Sequence, residues 1–245
     1  TKARVAMNQT KEQMCVLNYE DERLQQVAKN MSADVFWFSS ARELERGIFL
    51  RGEEIVCRDG EEITLCNIHD LKLLGMHNYE NVMAAAAIAH GMNVPWDVIR
   101  KVVCEFQAVP HRIEFVKEVN GVKYYNDSKG TNPDAAIKAV EAMVRPTIVI
   151  GGGYDKESVY DEWIASFGTK VKSLVLLGQT ADKIAEAAAK AGFTAVTKVD
   201  SLEEAVAECA RQAQDGDAVL LSPACASWGM FKNFEERGDL FKEYV

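Results

Sequence analysis

Residues 110–132 read PHRIEFVKEVNGVKYYNDSKGTN, and their pattern decides the fold. Two β-rich runs, IEFVKEV and VKYYN, flank Asn120-Gly121, the dipeptide that most readily supplies the two positive φ angles of a two-residue hairpin turn. A hairpin is therefore expected. Its second strand stops in Asn126, Asp127, Ser128, Lys129, Gly130, Thr131 and Asn132, and an alanine-rich helical segment follows. In open α/β sheets, ligands gather beyond the carboxyl ends of strands, and a helix starting there offers free N–H groups to an anion. Asp127 suits ribose hydroxyls and Lys129 suits phosphate. A plain N-cap by Asp127, Ser128 or Asn132 explains the same residues without a ligand.

Downstream of the hairpin the rhythm is strand-helix-strand. A helix over 133–143 leads to PTIVIGGG, a helix around 159–167 leads to KSLVLLG, and ADKIAEAAAKAG, TAVTKV, LEEAVAECARQA, DAVLLSPA and a terminal helix continue the series. Continuous apolar strands alternating with helices predict a largely parallel, doubly wound sheet covered on both faces, Rossmann-like in class. Upstream the pattern differs. MCVLNYED, DERLQQVAKN and DVFWFSS form a β-α-β unit, and GIFLRG, EEIVCRDG and EEITLCNI alternate like an antiparallel meander. LLGMHNYENVMAAAAIAHGM then opens polar and becomes a helix ending near Gly91, and PWDVIRKVVCEF starts another with proline at its head. The change of pattern divides the chain into 1–109 and 110–245.

Composition narrows the function. The 245 residues are 48% hydrophobic and 27% charged, which supports a packed core rather than disorder. A net charge of −9 and the absence of a Lys/Arg-rich run argue against nucleic acid as a partner. There is no apolar stretch of membrane-spanning length and no signal-peptide layout, so a cytoplasmic protein without membrane contact is expected. Six cysteines are scattered without a C-x-x-C pair or histidines at zinc spacing, which fits reduced, buried thiols.

Three further polar clusters stand at strand ends or helix starts. In GGGYDK, Gly151 to Gly153 permit a tight turn and Lys156 can hold a carboxylate. In LLSPACASWGMFKNFEERG, small residues from Ser222 to Ser227 precede Trp228, Phe231 and Phe234, which alternate with Lys232, Asn233 and Arg237. Cys225 has no histidine tied to it and is disfavoured as a nucleophile. His77, Asn78 and Asn81 open the alanine helix, where His77 or Asn78 can serve simply as its cap. The dinucleotide fingerprint G-x-G-x-x-G is absent from the sequence.

LLGMHNYENVMAAAAIA, VPHRIEF, YYNDSKGTN, GGGYDK and LLSPACASWGMFKNFEERG, in this order and spacing, resemble the Mur ligases of bacterial cell-wall synthesis over almost the whole chain. The first three patterns are shared with folate-polyglutamate-type synthetases, whereas SPACAS followed by FKNFEERG is similar to the D-glutamate-adding branch. The resemblance implies an ATP-dependent amide ligase acting through an acyl phosphate on UDP-N-acetylmuramoyl-L-alanine, working as a monomer. It implies that Asn81 and Arg112 lie against ATP, that Asp127 binds the ribose, and that Lys129 is the catalytic cation at the transferring phosphate. Thr131, Lys156, Ser227 and Phe234 would surround D-glutamate. Lys2, in TKARVAMNQ, is similar to a family lysine whose carbamylated form helps hold Mg2+ for catalysis.

The phosphate loop G-x-x-x-x-G-K-[ST] of these ligases is not in the sequence. The chain therefore reads as the end of the ATP-binding central domain, 1–109, followed by the amino-acid-binding C-terminal domain, 110–245, and is not expected to ligate by itself. Trp228 and Gly229 fall inside the most specific motif. Two other readings stand beside this one: a related ligase for another amino acid, and a non-catalytic nucleotide- or glutamate-binding module.

Overall fold

A computed structural model describes residues 6–245, so Lys2 lies outside the described residues. Contacts divide the chain into two compact units, Thr1–Gln107 and Ala108–Val245, just upstream of the change in sequence pattern.

The first unit holds β1 (Met14–Asn18), α1 (Glu22–Ala28), β2 (Asp34–Ser39), β3 (Gly47–Arg51), β4 (Glu54–Asp59), β5 (Glu61–Asn67), α2 (Met76–Gly91) and α3 (Trp96–Glu105). Its sheet runs in the order β1-β2-β3-β4-β5. The first three strands are parallel and the last three form the antiparallel meander. Helix α2 packs on β1, β2 and β3 through Val82, Met83, Ala86 and Ala87, the alanines allowing close approach. Its cap is Gly75 at φ 94° rather than His77 or Asn78. Both of those lie within the first turn, and the Asn78 amide reaches back to the Leu74 carbonyl at 2.7 Å.

The second unit holds β6 (Glu114–Val119), β7 (Val122–Asn126), α4 (Pro133–Ala142), β8 (Thr147–Gly151), α5 (Asp161–Ala165), β9 (Val171–Leu176), α6 (Ala181–Lys190), β10 (Val196–Lys198), α7 (Leu202–Gln212), β11 (Ala218–Leu221) and α8 (Phe234–Tyr244). Asn120 at φ 50° and Gly121 at φ 78° make the turn between β6 and β7, with both central residues left-handed as a type I′ turn requires. The strand order is β10-β9-β8-β11-β7-β6. Five strands are parallel, and β6 is added antiparallel at the edge.

Every residue of β8 and β11 is buried, which is why those runs are apolar throughout rather than alternating. Helices α4, α5 and α6 pack in succession, while α7 packs with α8. Between the sheet and the latter pair lie Ile148, Ile150, Val175, Val219 and Leu221 with Leu202, Val206, Cys209 and Phe241. Burying each large aliphatic side chain of that layer contributes roughly 1.5–3 kcal/mol.

This topology positions a crevice. From β8 the chain moves outward to β9 and β10, then returns to β11, which sits between β8 and β7. The strand order therefore reverses beside β8 and β11, and open α/β sheets hold ligands beyond the carboxyl ends of strands at such a point. Among the described residues no helix is long and apolar enough to cross a membrane.

Candidate functional site

The loop after β7 is fixed by its own polar side chains. The buried Asn126 accepts the Ser128 N–H at 3.0 Å, and its amide nitrogen approaches the Glu114 carboxylate and His111 Nδ1, each at 3.1 Å. Asn132 caps α4 by accepting the Ala135 N–H at 2.9 Å, with Pro133 in the first turn. Capping is thus done by Asn132, and Asp127 and Ser128 serve other ends.

Asp127 is turned inward and buried. Its carboxylate accepts the Ser222 hydroxyl at 2.9 Å and the Ile113 N–H at 3.3 Å. A Cβ on Gly130 would stand 2.4 Å from Asp127 Oδ2, so the loop closes over the carboxyl only with glycine there. Burial pushes the Asp127 pKa up to about 7, against the opposing pull of Ser222, Ile113, Arg112 and Arg237. The folded protein therefore holds this proton more tightly than the unfolded chain. Stability from protonated Asp127 is complete below about pH 4 and is lost as pH rises through about 7. Asp127→Asn removes that dependence. The wild-type advantage over the variant in urea unfolding is expected to shrink steadily from about pH 4 to 7, by at most about 1.4 kcal/mol per unit; a constant difference would contradict the assignment.

Lys129 is exposed, its backbone N–H held by the His111 carbonyl at 2.9 Å. Its ammonium stands 5.2 Å over the Phe234 ring. Thr131 follows at half-buried depth, with its N–H on the Lys129 carbonyl at 2.8 Å. Arg112 is exposed at the start of the hairpin. Asn81 is exposed on α2 of the first unit.

The loop after β8 needs its glycines. A Cβ on Gly152 (φ 102°) would lie 2.1 Å from the Leu177 carbonyl oxygen, and one on Gly153 (φ 148°) 2.4 Å from that of Ala226. Thr180 anchors this loop by accepting the Gly153 N–H at 3.0 Å. Tyr154 then forms an antiparallel bridge with Ala226, its N–H on the Ala226 carbonyl at 2.9 Å. That bridge brings the loop after β8 against the loop after β11. Lys156 is exposed, with its ammonium 4.8 Å over the Trp228 ring.

The loop after β11 is buried from Ser222 to Ser227. Cys225 Sγ lies 3.1 Å from the Tyr160 hydroxyl and 3.3 Å from that of Thr180, and burial pushes the thiol pKa up. That is an inert sulfur. All six cysteines are free, and only Cys104 is not buried.

Arg237 joins the loops. This buried guanidinium donates to the Ser128 hydroxyl at 2.9 Å, the Ser128 carbonyl at 2.8 Å and the Cys225 carbonyl at 3.2 Å. Burial pushes its pKa down to about 10. Ser128 in turn donates to the Phe234 carbonyl at 2.7 Å, while Asn233 caps α8. The next residue, Gly238, lets α8 approach, since a Cβ there would sit 2.2 Å from His111 Nδ1. Sequence reading placed Arg237 in an aromatic-polar alternation and missed this role; the signal was an Arg-Gly pair one turn inside an Asn-capped helix.

Lys129 and Thr131, Lys156, and Ser227 thus lie on the loops leaving three neighbouring strands, and Phe234 opens α8. Phe234 lies beneath Lys129, and Ser227 is joined through Trp228 to Lys156. Among the described residues no group of three or more His, Cys, Asp or Glu is placed to hold a metal ion. Lys129 and Lys156 stand exposed at the crevice of a doubly wound α/β domain.

Comparison with known proteins gives the family. Residues 111–225 match the family described as Mur ligase, glutamate ligase domain. The UDP-N-acetylmuramoylalanine--D-glutamate ligase of Lachnoclostridium phytofermentans is 58% identical over the whole chain, which covers 54% of that relative. The ligase of the same name from Lachnospira eligens is 54% identical, again over the whole chain and 55% of the relative. The crystal structure of MurF from Acinetobacter baumannii shares the fold, with a TM-score of 0.68 at 15% identity over 99% of this chain and 55% of that one. The chain is thus similar along its whole length to Mur ligases, and its residues 111–225 match their glutamate ligase domain. It spans about half the length of the curated relatives it matches.

Proposed function

We propose that this chain is the part of an ATP-dependent ligase that receives D-glutamate and helps join it to UDP-N-acetylmuramoyl-L-alanine. The supporting observation is the meeting of the loops after β7, β8 and β11, each carrying residues of the motifs shared with that ligase branch. A carboxylate is a poor electrophile. Transfer of the γ-phosphoryl group of ATP makes it an acyl phosphate and releases ADP, and the amine of D-glutamate then attacks that carbonyl to give the amide, with phosphate as the leaving group and a proton lost from the amine.

In this reading Lys156 pairs with a D-glutamate carboxylate, and Thr131, Ser227 and Phe234 bound the same ligand, their hydroxyl, backbone and ring groups fixing its handedness. Lys129 offsets charge on the transferring phosphoryl group. Arg112 offers an exposed fork to the nucleotide phosphates. Asp127, buried against Ser222, is the residue assigned to the ribose. In the first unit Asn81 is the residue assigned to ATP. Mg2+ bound with a nucleotide is ordinarily held by one or two protein groups together with phosphates and water. Lys2 remains the residue assigned to Mg2+, as a carbamate.

Saturation-transfer NMR on this chain tests the amino-acid pocket, with D- and L-glutamate compared side by side in the presence of ATP. Selective contact with the D form is expected. Lys156→Met should weaken it about 10- to 100-fold, the loss of one charge-assisted hydrogen bond. Equal contact with both forms, or preference for the L form, would count against the pocket.

A further inference from the structure

We propose that Trp228 is a positioning residue for the amino-acid site, holding the Lys156 ammonium in the orientation that receives a ligand carboxylate. This deepens the reading above, in which Lys156 meets such a carboxylate. The Lys156 ammonium lies 4.8 Å over the indole ring, within the reach of cation–π attraction. Among the described residues no carboxylate lies within ion-pair distance of it. Trp228 is itself 55% exposed, so core packing does not account for its side chain. It is braced by Tyr154, whose ring centroid lies 5.6 Å away at an interplanar angle of 60°. Tyr154 is fixed by its bridge to Ala226, next to Ser227.

The consequence follows from lysine's flexibility. An exposed ammonium on a four-carbon stem samples many rotamers, and a ligand that orders it must offset the lost entropy. An indole face on one side restricts those rotamers beforehand and leaves the other side, with its N–H donors, open to a carboxylate. Pre-ordering of this kind strengthens binding without new ligand contacts. The ammonium meets the carboxylate equally in the ground and transition states, so removing the ring raises KM for the amino acid and leaves kcat unchanged.

Two measurements test this. In the 245-residue chain, the ε-methylene protons of Lys156 are expected to be shifted upfield by the indole ring current and to return to ordinary values in Trp228→Leu. In the full-length ligase containing this chain, with ATP and the nucleotide precursor saturating, Trp228→Leu is expected to raise KM for the amino acid about two- to fivefold. Its kcat should stay the same, and Trp228→Phe should stay closer to wild type. An unshifted Lys156 in the wild-type chain, an unchanged KM in Trp228→Leu, or a fall in kcat at constant KM overturns the proposal. If the full-length ligase uses an amino acid other than D-glutamate, the substrate assignment fails. The KM comparison with the amino acid it accepts then decides the role of Trp228.

Discussion

Arg237→Met is expected to lower the unfolding free energy by about 3–5 kcal/mol, measured by urea unfolding of this chain. Methionine fills much of the space, so the loss comes from polar groups rather than from a void. Without the guanidinium, the Ser128 carbonyl and the Cys225 carbonyl each lose the side-chain donor that bridges their loops. The Ser128 hydroxyl keeps its own bond to Phe234 but loses the one it accepts from Arg237. Buried polar groups left without partners cost about 1–3 kcal/mol each. Arg237→Lys is expected to recover only part of the loss, because one ammonium cannot reproduce a fork that spans two loops. A destabilisation below about 1 kcal/mol in Arg237→Met would show that the loops hold each other without it.

Lys129→Ala is expected to cut kcat of the full-length ligase about 10²- to 10³-fold, in a steady-state assay of phosphate release. Lys129 is fixed at its backbone by His111, and among the described residues its ammonium meets the face of Phe234. That exposed contact is weak, so the charge remains free to meet phosphoryl oxygens. Its effect should appear where negative charge spreads in the transition state, and therefore mainly in kcat. A rise in KM for the amino acid with kcat intact would move Lys129 from the phosphoryl group to the amino-acid pocket.

The fold was legible where local chemistry and tertiary demand agreed. Asn120-Gly121 adopts the two left-handed conformations the dipeptide favours, and the unbroken apolar runs of β8 and β11 are buried on both faces. Strand order was not legible, because β11 enters between β8 and β7 from far along the chain. Helix caps were only partly legible. Asn132 caps α4, yet α2 has Gly75 at its N-cap with no side-chain cap, and His77 and Asn78 fall inside its first turn.

The site shows the same division. Motif residues could be placed on loops from sequence, but the inward turn of Asp127 toward Ser222 joins residues far apart in the chain. The burial of Arg237 was hidden for a similar reason. An arginine on an otherwise polar helix face looks solvated until Gly238 brings that face against His111 and Asn126.

The most direct test of the D-glutamate assignment is the ligation product itself. The full-length ligase containing this chain is given ATP, UDP-N-acetylmuramoyl-L-alanine and either D- or L-glutamate, and the amide is detected by mass spectrometry. Product that requires ATP and forms with D-glutamate but not with L-glutamate is the predicted result. Product formed equally with L-glutamate, or none with D-glutamate while another amino acid is joined, would contradict it.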